Sequence, residues 1–292
     1  MPADVVMMRS KLSEFFRQKL AGWDKNLGAC KWGVYAFFDF FGEPIYVGQT
    51  REALGTRVNR HLTNQRTDAV AMRILDPVEV AEVRVWPLWE LQRAWSEAPP
   101  EENKQAKKAR QEQLKVLLNN YEHAAYASAV RGSKFHAVLN EKIPPLLGPE
   151  PDLDVPFSVK LYDGDQLTAL RNADVRIARR AEAVSRLADV ARERGDVSVG
   201  LRRAIVIQAV RLTHLSAVRL AEAEGRELPS ESVIDSEALF GLMLPGQAGD
   251  DELSDDNSHE QGDHNYGPVD FIHADTLELL EGLRVDDGNL EL

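Results

Sequence analysis

Apolar and polar residues alternate on both sides of a glycine-containing turn early in the chain. The alternation covers residues 33–38 and 45–48, with Gly42-Glu43-Pro44 between them. Two such runs joined by a short turn predict a β-hairpin. If Gly42-Glu43 forms a two-residue turn, strand periodicity places Tyr35 and Tyr46 on one face and leaves the other face apolar.

A helical pattern follows the hairpin. Leu54, Val58 and Leu62 recur every four residues and predict a buried stripe, and Arg57 and His61 form the stripe beside it. A side chain that borders a buried stripe can point into a cleft without being sealed in the core. We therefore expect the two tyrosines, the arginine and the histidine to converge on one side of a small sheet.

The remaining pattern in residues 1–150 predicts one more strand and two more helices. An amphipathic helix is predicted at 4–22, a Val-rich third strand at 78–86, and a long helix at 101–131. Glu122 lies at the margin of the buried face of the long helix, about 80° from its centre at roughly 100° per residue. These elements predict an α/β (α+β) fold with a three-stranded, mainly antiparallel sheet flanked by helices.

The second half of the chain has a different pattern. Residues 144–151 contain several Pro and Gly residues and predict a linker, and apolar spacing at 168–195 and 197–225 predicts a helical hairpin. We therefore expect three regions, which are a sheet-containing domain at 1–150, a helical accessory domain at 151–245, and an acidic, partly disordered tail at 246–292.

The distribution of charge changes what the net charge implies. A formal net charge of −12 argues against a nucleic-acid partner, but residues 246–292 hold one Arg against 14 acidic residues. Residues 1–150 hold 21 Lys and Arg against 18 Asp and Glu, so the body of the protein is compatible with DNA binding. The tail has three open interpretations: it mimics DNA, recruits a basic protein partner, or keeps the chain in solution.

Composition excludes some classes of site and favours one location. Cys30 is the single cysteine, which excludes an intramolecular disulfide and a multi-thiolate zinc site. The chain contains no run of eighteen apolar residues and no signal-peptide pattern, so we expect no membrane partner and a cytoplasmic location. The oligomeric state stays open at this stage.

The hairpin and the following helix resemble a known signature. Gly33-Val34-Tyr35, ten further residues, Tyr46-Val47-Gly48, and then Arg57 and His61 are similar to the motif of the GIY-YIG nuclease superfamily. That superfamily includes intron homing endonucleases, some restriction endonucleases and the incision subunit of bacterial excision repair. The resemblance covers about half of the chain, and we recognise no family in the C-terminal half.

The resemblance implies an activity and a cofactor. It implies a metal-dependent endonuclease that hydrolyses DNA phosphodiester bonds with Mg²⁺ or Mn²⁺. Restriction or another bacterial defence role is our first interpretation, because the chain lacks the long linker and DNA-binding elements expected of homing enzymes. The implied site residues are Tyr35, Tyr46, Arg57, His61, Glu122 and Asn140.

The resemblance also implies a role for each residue. Glu122 would hold the divalent cation, Arg57 would bind a phosphate oxygen, and Asn140 would correspond to the family's Asn. We favour Tyr35 as general base, which requires its pKa to fall towards neutrality through the nearby Arg and metal. Tyr46 would position the attacking water, and the nearby histidine would accept a proton or bind phosphate.

Each of these residues also has an ordinary structural interpretation. The tyrosines fit half-buried strand positions, and the charged residues fit a solvated helix face. The competing function is a catalytically inactive nuclease-fold module that binds DNA or protein and is regulated by its acidic tail. Several basic residues can contact phosphates, although those at 104–110 are equally well explained as a solvated helix end; the set is Arg60, Arg66, Arg73, Lys104, Lys107, Lys108 and Arg110.

Overall fold

The computed structural model describes residues 3–19, 22–63, 76–97 and 103–244. These residues form a mixed α/β fold with eight helices and one four-stranded antiparallel sheet. The sequence-predicted tail at 246–292 lies outside the described residues, as do Arg66 and Arg73. Residues Met1–Pro245 group into one compact unit.

Among the described residues, three of the four strands lie in the first half of the chain, and the eight helices are divided equally between the two halves. The first half contains α1 (Ala3–Arg17), β1 (Gly33–Phe38), β2 (Pro44–Thr50), α2 (Leu54–Thr63), β3 (Glu82–Pro87), α3 (Trp89–Ser96) and α4 (Lys104–Gly132). The second half contains β4 (Phe157–Lys160), α5 (Gly164–Arg171), α6 (Ala173–Arg194), α7 (Val199–Glu224) and α8 (Ser236–Phe240). The strand order is β2-β1-β3-β4, and every neighbouring pair is antiparallel.

The turn of the β1–β2 hairpin is longer than the two-residue turn expected from the sequence. Strand β1 ends at Phe38 and β2 begins at Pro44, so the connection spans residues 39–43. The Asp39 carboxylate organises it, because its Oδ1 accepts hydrogen bonds from the N–H groups of Phe41 at 2.7 Å and Glu43 at 3.0 Å. A side chain that bonds the backbone two and four residues ahead stabilises a local turn without a tight type I′ geometry.

The longer turn nevertheless leaves the predicted faces of the hairpin intact. Tyr35 pairs with Gly48, and Phe37 pairs with Tyr46. A two-residue turn at positions 42 and 43 would instead pair Phe37 with Gly48. The difference is two residues, and a shift of two keeps every side chain on the same face of a strand. The prediction that the two tyrosines share a face is therefore confirmed.

The sheet has four strands, so the expectation of three strands is wrong. Strand β4 follows the Pro-rich segment at 144–151 and pairs with β3 at the edge of the sheet. It has only four residues, which alternate between half-buried and exposed positions. Such a short run gives little periodic signal, and its pairing with β3 is a long-range contact that local patterning does not predict.

The predicted helical hairpin corresponds to α6 and α7, which are tied to the sheet by buried ion pairs. Oδ2 of Asp39 accepts hydrogen bonds from Arg176 at 2.6 Å and from Arg180 at 2.5 Å. On α7, Arg211 is 3% exposed and donates to the Pro44 carbonyl at 3.0 Å. These contacts and strand β4 cross the position at which the sequence predicts a domain boundary.

Helix α7 is the one described helix that is long and apolar enough to cross a membrane, by length and composition alone. The core helices of water-soluble proteins meet the same criterion. The buried side of α7 includes Leu201, Ala204 and Ile207, all of which belong to the main hydrophobic core.

Candidate active site

The facing tyrosines of the hairpin depend on a glycine between them. The ring centroids of Tyr35 and Tyr46 are 6.1 Å apart. A Cβ atom at Gly48 would lie 2.7 Å from Oη of Tyr35 and 2.7 Å from Cε1 of Tyr46. Only glycine leaves room for both phenols, so the packing of the two tyrosines requires glycine at position 48.

A second glycine lets helix α2 approach the sheet. A Cβ atom at Gly33 would lie 2.9 Å from Cδ1 of Leu54 and 2.9 Å from the carbonyl oxygen of Trp86. The N–H of Leu54 also donates to the Cys30 carbonyl at 2.8 Å, which fixes the start of α2. The first turn of α2 therefore lies directly on β1, and the next turns project over the phenol-bearing face.

Arg57, Tyr35 and His61 form a hydrogen-bonded chain. Nε of Arg57 donates to Oη of Tyr35 at 3.2 Å, and Oη lies 2.9 Å from Nε2 of His61. An arginine can only donate, so the phenolic oxygen accepts from Arg57. The oxygen keeps its own hydrogen, and we assign that hydrogen to the bond with His61. This assignment makes Nε2 the acceptor and places the imidazole hydrogen on Nδ1.

Burial controls the protonation of the histidine. His61 is 6% exposed. Burial, together with the nearby charges of Arg57 and Arg60, lowers the pKa of His61 to about 4. The imidazole is therefore neutral at pH 7, as the hydrogen bond from the phenol requires.

Burial also acts on the two phenols. It raises the pKa of Tyr35 and the pKa of Tyr46, and in both cases this effect outweighs the opposing charge of Arg57. Arg57 alone therefore does not bring the pKa of either tyrosine down towards neutrality. Both phenols are protonated at pH 7.

Glu122 on α4 lies close enough to both phenols for its charge to act on them, and it is held by an amide at the end of β2. Its Oε2 accepts a hydrogen bond from Nε2 of Gln49 at 2.9 Å, and the same nitrogen donates to Oδ1 of Asn119 at 2.5 Å. Burial raises the pKa of Glu122 to about 7, although Gln49 and Arg57 act in the opposite direction. The carboxylate charge in turn raises the pKa values of Tyr35 and Tyr46, so it acts on both phenols.

Gln49 and Asn119 are site residues that sequence reasoning missed. Each has a simple signal, because Gln49 directly follows Gly48 and Asn119 lies one helical turn before Glu122. Neither residue titrates, and neither belongs to the motif that resembles the nuclease signature. Their importance is visible only when the end of β2 and the middle of α4 are seen side by side.

Asn140 is placed differently from the other five predicted site residues. Its Oδ1 accepts from the Val47 N–H at 3.0 Å, and its Nδ2 donates to the Val47 carbonyl at 2.8 Å. The preceding Leu139 N–H donates to the Ile45 carbonyl at 3.2 Å. The 139–140 segment therefore caps the outer edge of β2, and the amide of Asn140 is engaged by that strand's backbone.

A basic cavity lies on the far side of α2 from the tyrosines. Its volume is about 610 Å³, and Gly55 and Gly28 lie close together in its wall. The lining residues are Arg9, Ser13, Phe16, Arg17, Asn26, Gly28, Gly55, Thr56, Asn59 and Arg60. No lining side chain is acidic, but Arg60 forms an ion pair with the nearby Glu52.

The site therefore has a buried pair and a polar rim. Tyr35 and His61 are buried, whereas Tyr46, Arg57 and Glu122 are half-buried. Within the part of the chain that the structure describes, no three His, Cys, Asp or Glu side chains cluster closely enough to enclose a metal ion. No protein-family model, no curated protein and no solved structure matches this chain.

Proposed function

We propose that this chain is a metal-dependent endonuclease of the GIY-YIG type that hydrolyses DNA phosphodiester bonds. The observation that supports the proposal most is the buried chain of hydrogen bonds from Arg57 through Tyr35 to His61, with Glu122 acting on the same phenols. Burying polar and titratable groups is costly, and perturbed titratable clusters of this kind concentrate at functional sites. A purely structural hairpin has no physical need for them together.

In the proposed reaction, Tyr35 passes a proton rather than holding a negative charge. As the attacking water forms a bond to phosphorus, the P–O bond to one strand end would break, and the leaving oxygen would take a proton from solvent. The water would give its own proton to Oη of Tyr35 while the phenolic hydrogen moves to Nε2 of His61, 2.9 Å away. The phenol remains neutral overall, which agrees with its raised pKa. The neutral imidazole is the final proton acceptor, and Tyr46 borders the space where the water would lie.

Arg57 has two roles in the proposal. Its Nε–H orients Tyr35, and the guanidinium carries four further N–H donors in one plane. That plane matches two oxygens of a phosphate, whereas a lysine would supply only a point charge. Arg57 would therefore hold the phosphate next to the phenol and stabilise the negative charge that develops during attack.

The residues around Glu122 fit a hard divalent cation. Mg²⁺ keeps several of its waters and needs only one or two carboxylates from the protein, and one half-buried carboxylate flanked by two side-chain amides meets that requirement. The cation, Mg²⁺ or Mn²⁺, would polarise a phosphate oxygen when bound. Glu122 must ionise to bind it, so its pKa of about 7 makes cation binding sensitive to pH near neutrality.

The test is cleavage of supercoiled plasmid DNA by the full chain, with Mg²⁺ and with a chelator. We expect nicking or linearisation that needs Mg²⁺ and that is lost in Glu122→Gln. Glu182→Gln is the matched control, because Glu182 is an exposed carboxylate paired with Arg186 on α6. Cleavage that survives in Glu122→Gln, or that persists with chelator, contradicts the proposal. Retention of DNA without cutting would support the inactive binding module instead.

A further inference from the structure

Helix α4 carries basic side chains on the same face as Glu122. At about 100° per residue, Lys104, Lys108 and Lys115 lie within about 40° of the direction of Glu122 around the helix axis. At a rise of about 1.5 Å per residue, they lie about 27, 21 and 10 Å from Glu122 along that axis. The three lysines therefore form one line that leads away from the candidate active site, which we call the lysine line.

The lysine line occupies an exposed part of α4. Residues 104–109 are all exposed, and the buried face of the helix begins only at Leu114. Among residues 103–115 there are five basic side chains and one acidic side chain, Glu112. Glu112 forms an ion pair with Lys115, with Oε1 and Nζ 2.5 Å apart. The excess of positive charge is therefore greatest in the first two turns of α4.

The helix itself gains nothing from this arrangement. The N-terminal end of a helix carries a partial positive charge, and acidic residues there are stabilising whereas basic residues are not. The first turn of α4 contains no acidic residue, and it begins with Lys104. Glu101 and Glu102 precede the helix in the sequence and lie outside the described residues. If these lysines served only to solvate the end of the helix, acidic residues would serve equally well.

We propose that the lysine line is a track for the phosphates of duplex DNA on one side of the bond that is cut. This inference rests on the proposed function, because it takes Glu122 to mark the scissile phosphate. One strand carries a phosphate about every 3.4 Å along the duplex axis, so a 27 Å line spans about eight base pairs. Lysines that contact phosphates position the duplex without reading its sequence.

The experiment measures how DNA affinity depends on salt. The full chain binds a fluorescently labelled duplex in chelator, where no cleavage is expected, over about 50 to 200 mM salt. For Lys104→Gln/Lys108→Gln, the slope of log affinity against log salt should become shallower by about 2, because each lost phosphate contact removes about 0.9. The thermal midpoint of unfolding should not fall, since neutral side chains suit a helix N-terminus better than lysines.

A matched variant separates local contacts from net charge. Arg192→Gln/Arg226→Gln removes the same charge from two exposed arginines that pair with Asp189 and Glu224. Its salt slope should equal that of the unmodified chain. The lysine line is overturned if the lysine variant has the same salt slope as the unmodified chain. It is also overturned if both variants lose the same amount of slope, or if the unmodified chain does not bind the duplex.

The same set of proteins distinguishes this inference from the proposed function. Plasmid cleavage with Mg²⁺ tests the chemistry, and the salt slope tests the contact surface. If the unmodified chain cleaves plasmid but the lysine variant has an unchanged salt slope, the lysine line is refuted and the endonuclease proposal stands. A reduced slope without any cleavage would keep the lysine line as a DNA-contact surface, and it would remove the endonuclease and the cut bond beside which the line was placed.

Discussion

The phenolic oxygen of Tyr35 lies 2.9 Å from Nε2 of His61, and both side chains are buried. Burial raises the pKa of the phenol and lowers that of the imidazole, so the proton resides on Tyr35 and the histidine accepts its hydrogen bond. Arg57 donates to the same phenolic oxygen. The hydrogen bond therefore runs from the phenol to the imidazole, and in the proposed reaction the phenolic proton would move to His61 only while Tyr35 takes a proton from the attacking water.

Tyr35→Phe should abolish most cleavage while leaving the fold intact. Loss of a positioned proton-transfer group costs about 100-fold to 10,000-fold in rate. The variant also leaves the buried Nε2 of His61 without its partner, which should lower the free energy of unfolding by about 1–3 kcal/mol. The measurements are plasmid cleavage with Mg²⁺ and urea unfolding.

Tyr126→Phe is the matched control for this experiment. Tyr126 is fully buried, and its hydroxyl has no hydrogen-bond partner among the described residues. Removing an unsatisfied buried hydroxyl should leave cleavage unchanged and leave stability equal or slightly higher. Full cleavage by Tyr35→Phe, or an equal loss in both variants, would contradict the proton-transfer role of Tyr35.

Glu122→Gln should make the protein more stable above neutral pH. The pKa of Glu122 rises from its ordinary value of 4.5 to about 7 on folding, so the folded state binds this proton more tightly than the unfolded state. The stability that the protonated Glu122 carboxyl contributes below about pH 4.5 is therefore lost as the pH rises through 7. Glutamine keeps the shape and carries no charge, so the variant should gain about 1–3 kcal/mol at pH 8.

The measurement is urea unfolding of Glu122→Gln and the unmodified chain at several pH values. The two curves should meet near pH 4 and diverge as pH rises, and Glu182→Gln should follow the unmodified chain. Isothermal titration should also show that Mg²⁺ binding by the unmodified chain weakens below pH 7, because protons compete for the carboxylate. A gain in stability that does not vary with pH would mean that desolvation of the Glu122 charge is not its cause.

Gly48→Ala should damage the site without removing any polar group. The added Cβ would lie 2.7 Å from Oη of Tyr35, so the phenols must separate or the strand must shift. A displacement on the order of 1 Å at reacting groups can reduce cleavage about 100-fold. Overpacking should also lower the free energy of unfolding by about 1–3 kcal/mol.

Gly132→Ala controls for a change of glycine as such. Gly132 lies at the end of α4, and a Cβ there would have nothing within 4 Å. Cleavage by this variant should be unchanged. If Gly48→Ala cleaves as well as Gly132→Ala, the close packing of the two tyrosines around Gly48 does not matter for catalysis.

The sequence predicted the tyrosine face correctly because strand periodicity tolerates an error of two residues. The actual turn at 39–43 shifts the pairing of Tyr35 with Gly48 by two positions relative to a tight turn. An error of one residue would have moved every side chain to the opposite face. Helical spacing likewise identified Arg57 and His61, because four-residue intervals directly follow the turns of α2.

Features that depend on distant contacts were not predictable in the same way. The partners of Asn140 lie on β2, more than ninety residues earlier, so its engagement with the Val47 backbone leaves no local pattern. The pKa of Tyr35 follows from burial by several elements together, and sequence reasoning considered only its charged neighbours. The same limit explains why Gln49 and Asn119 were missed.

Asp39 links helix α6 to the turn of the hairpin. Asp39 organises the turn between the two tyrosine-bearing strands and accepts hydrogen bonds from Arg176 and Arg180 of α6. Burial alone would raise the pKa of Asp39, but Arg176, Arg180 and Arg211 together hold it below its ordinary value. Removing one partner of a buried charge group leaves the other charges uncompensated, which costs about 3–5 kcal/mol.

Asp39→Asn should therefore destabilise the whole unit and loosen the helices from the hairpin. Urea unfolding should show the loss, and hydrogen exchange should show faster exchange in both β2 and α6, because the carboxylate joins these elements. Asp189→Asn, at an exposed ion pair with Arg192 on α6, should change stability by less than about 0.5 kcal/mol. If exchange becomes faster in α6 alone, Asp39 stabilises the helices but does not hold the hairpin turn. In that case Asp39 does not couple the helices to the two tyrosines.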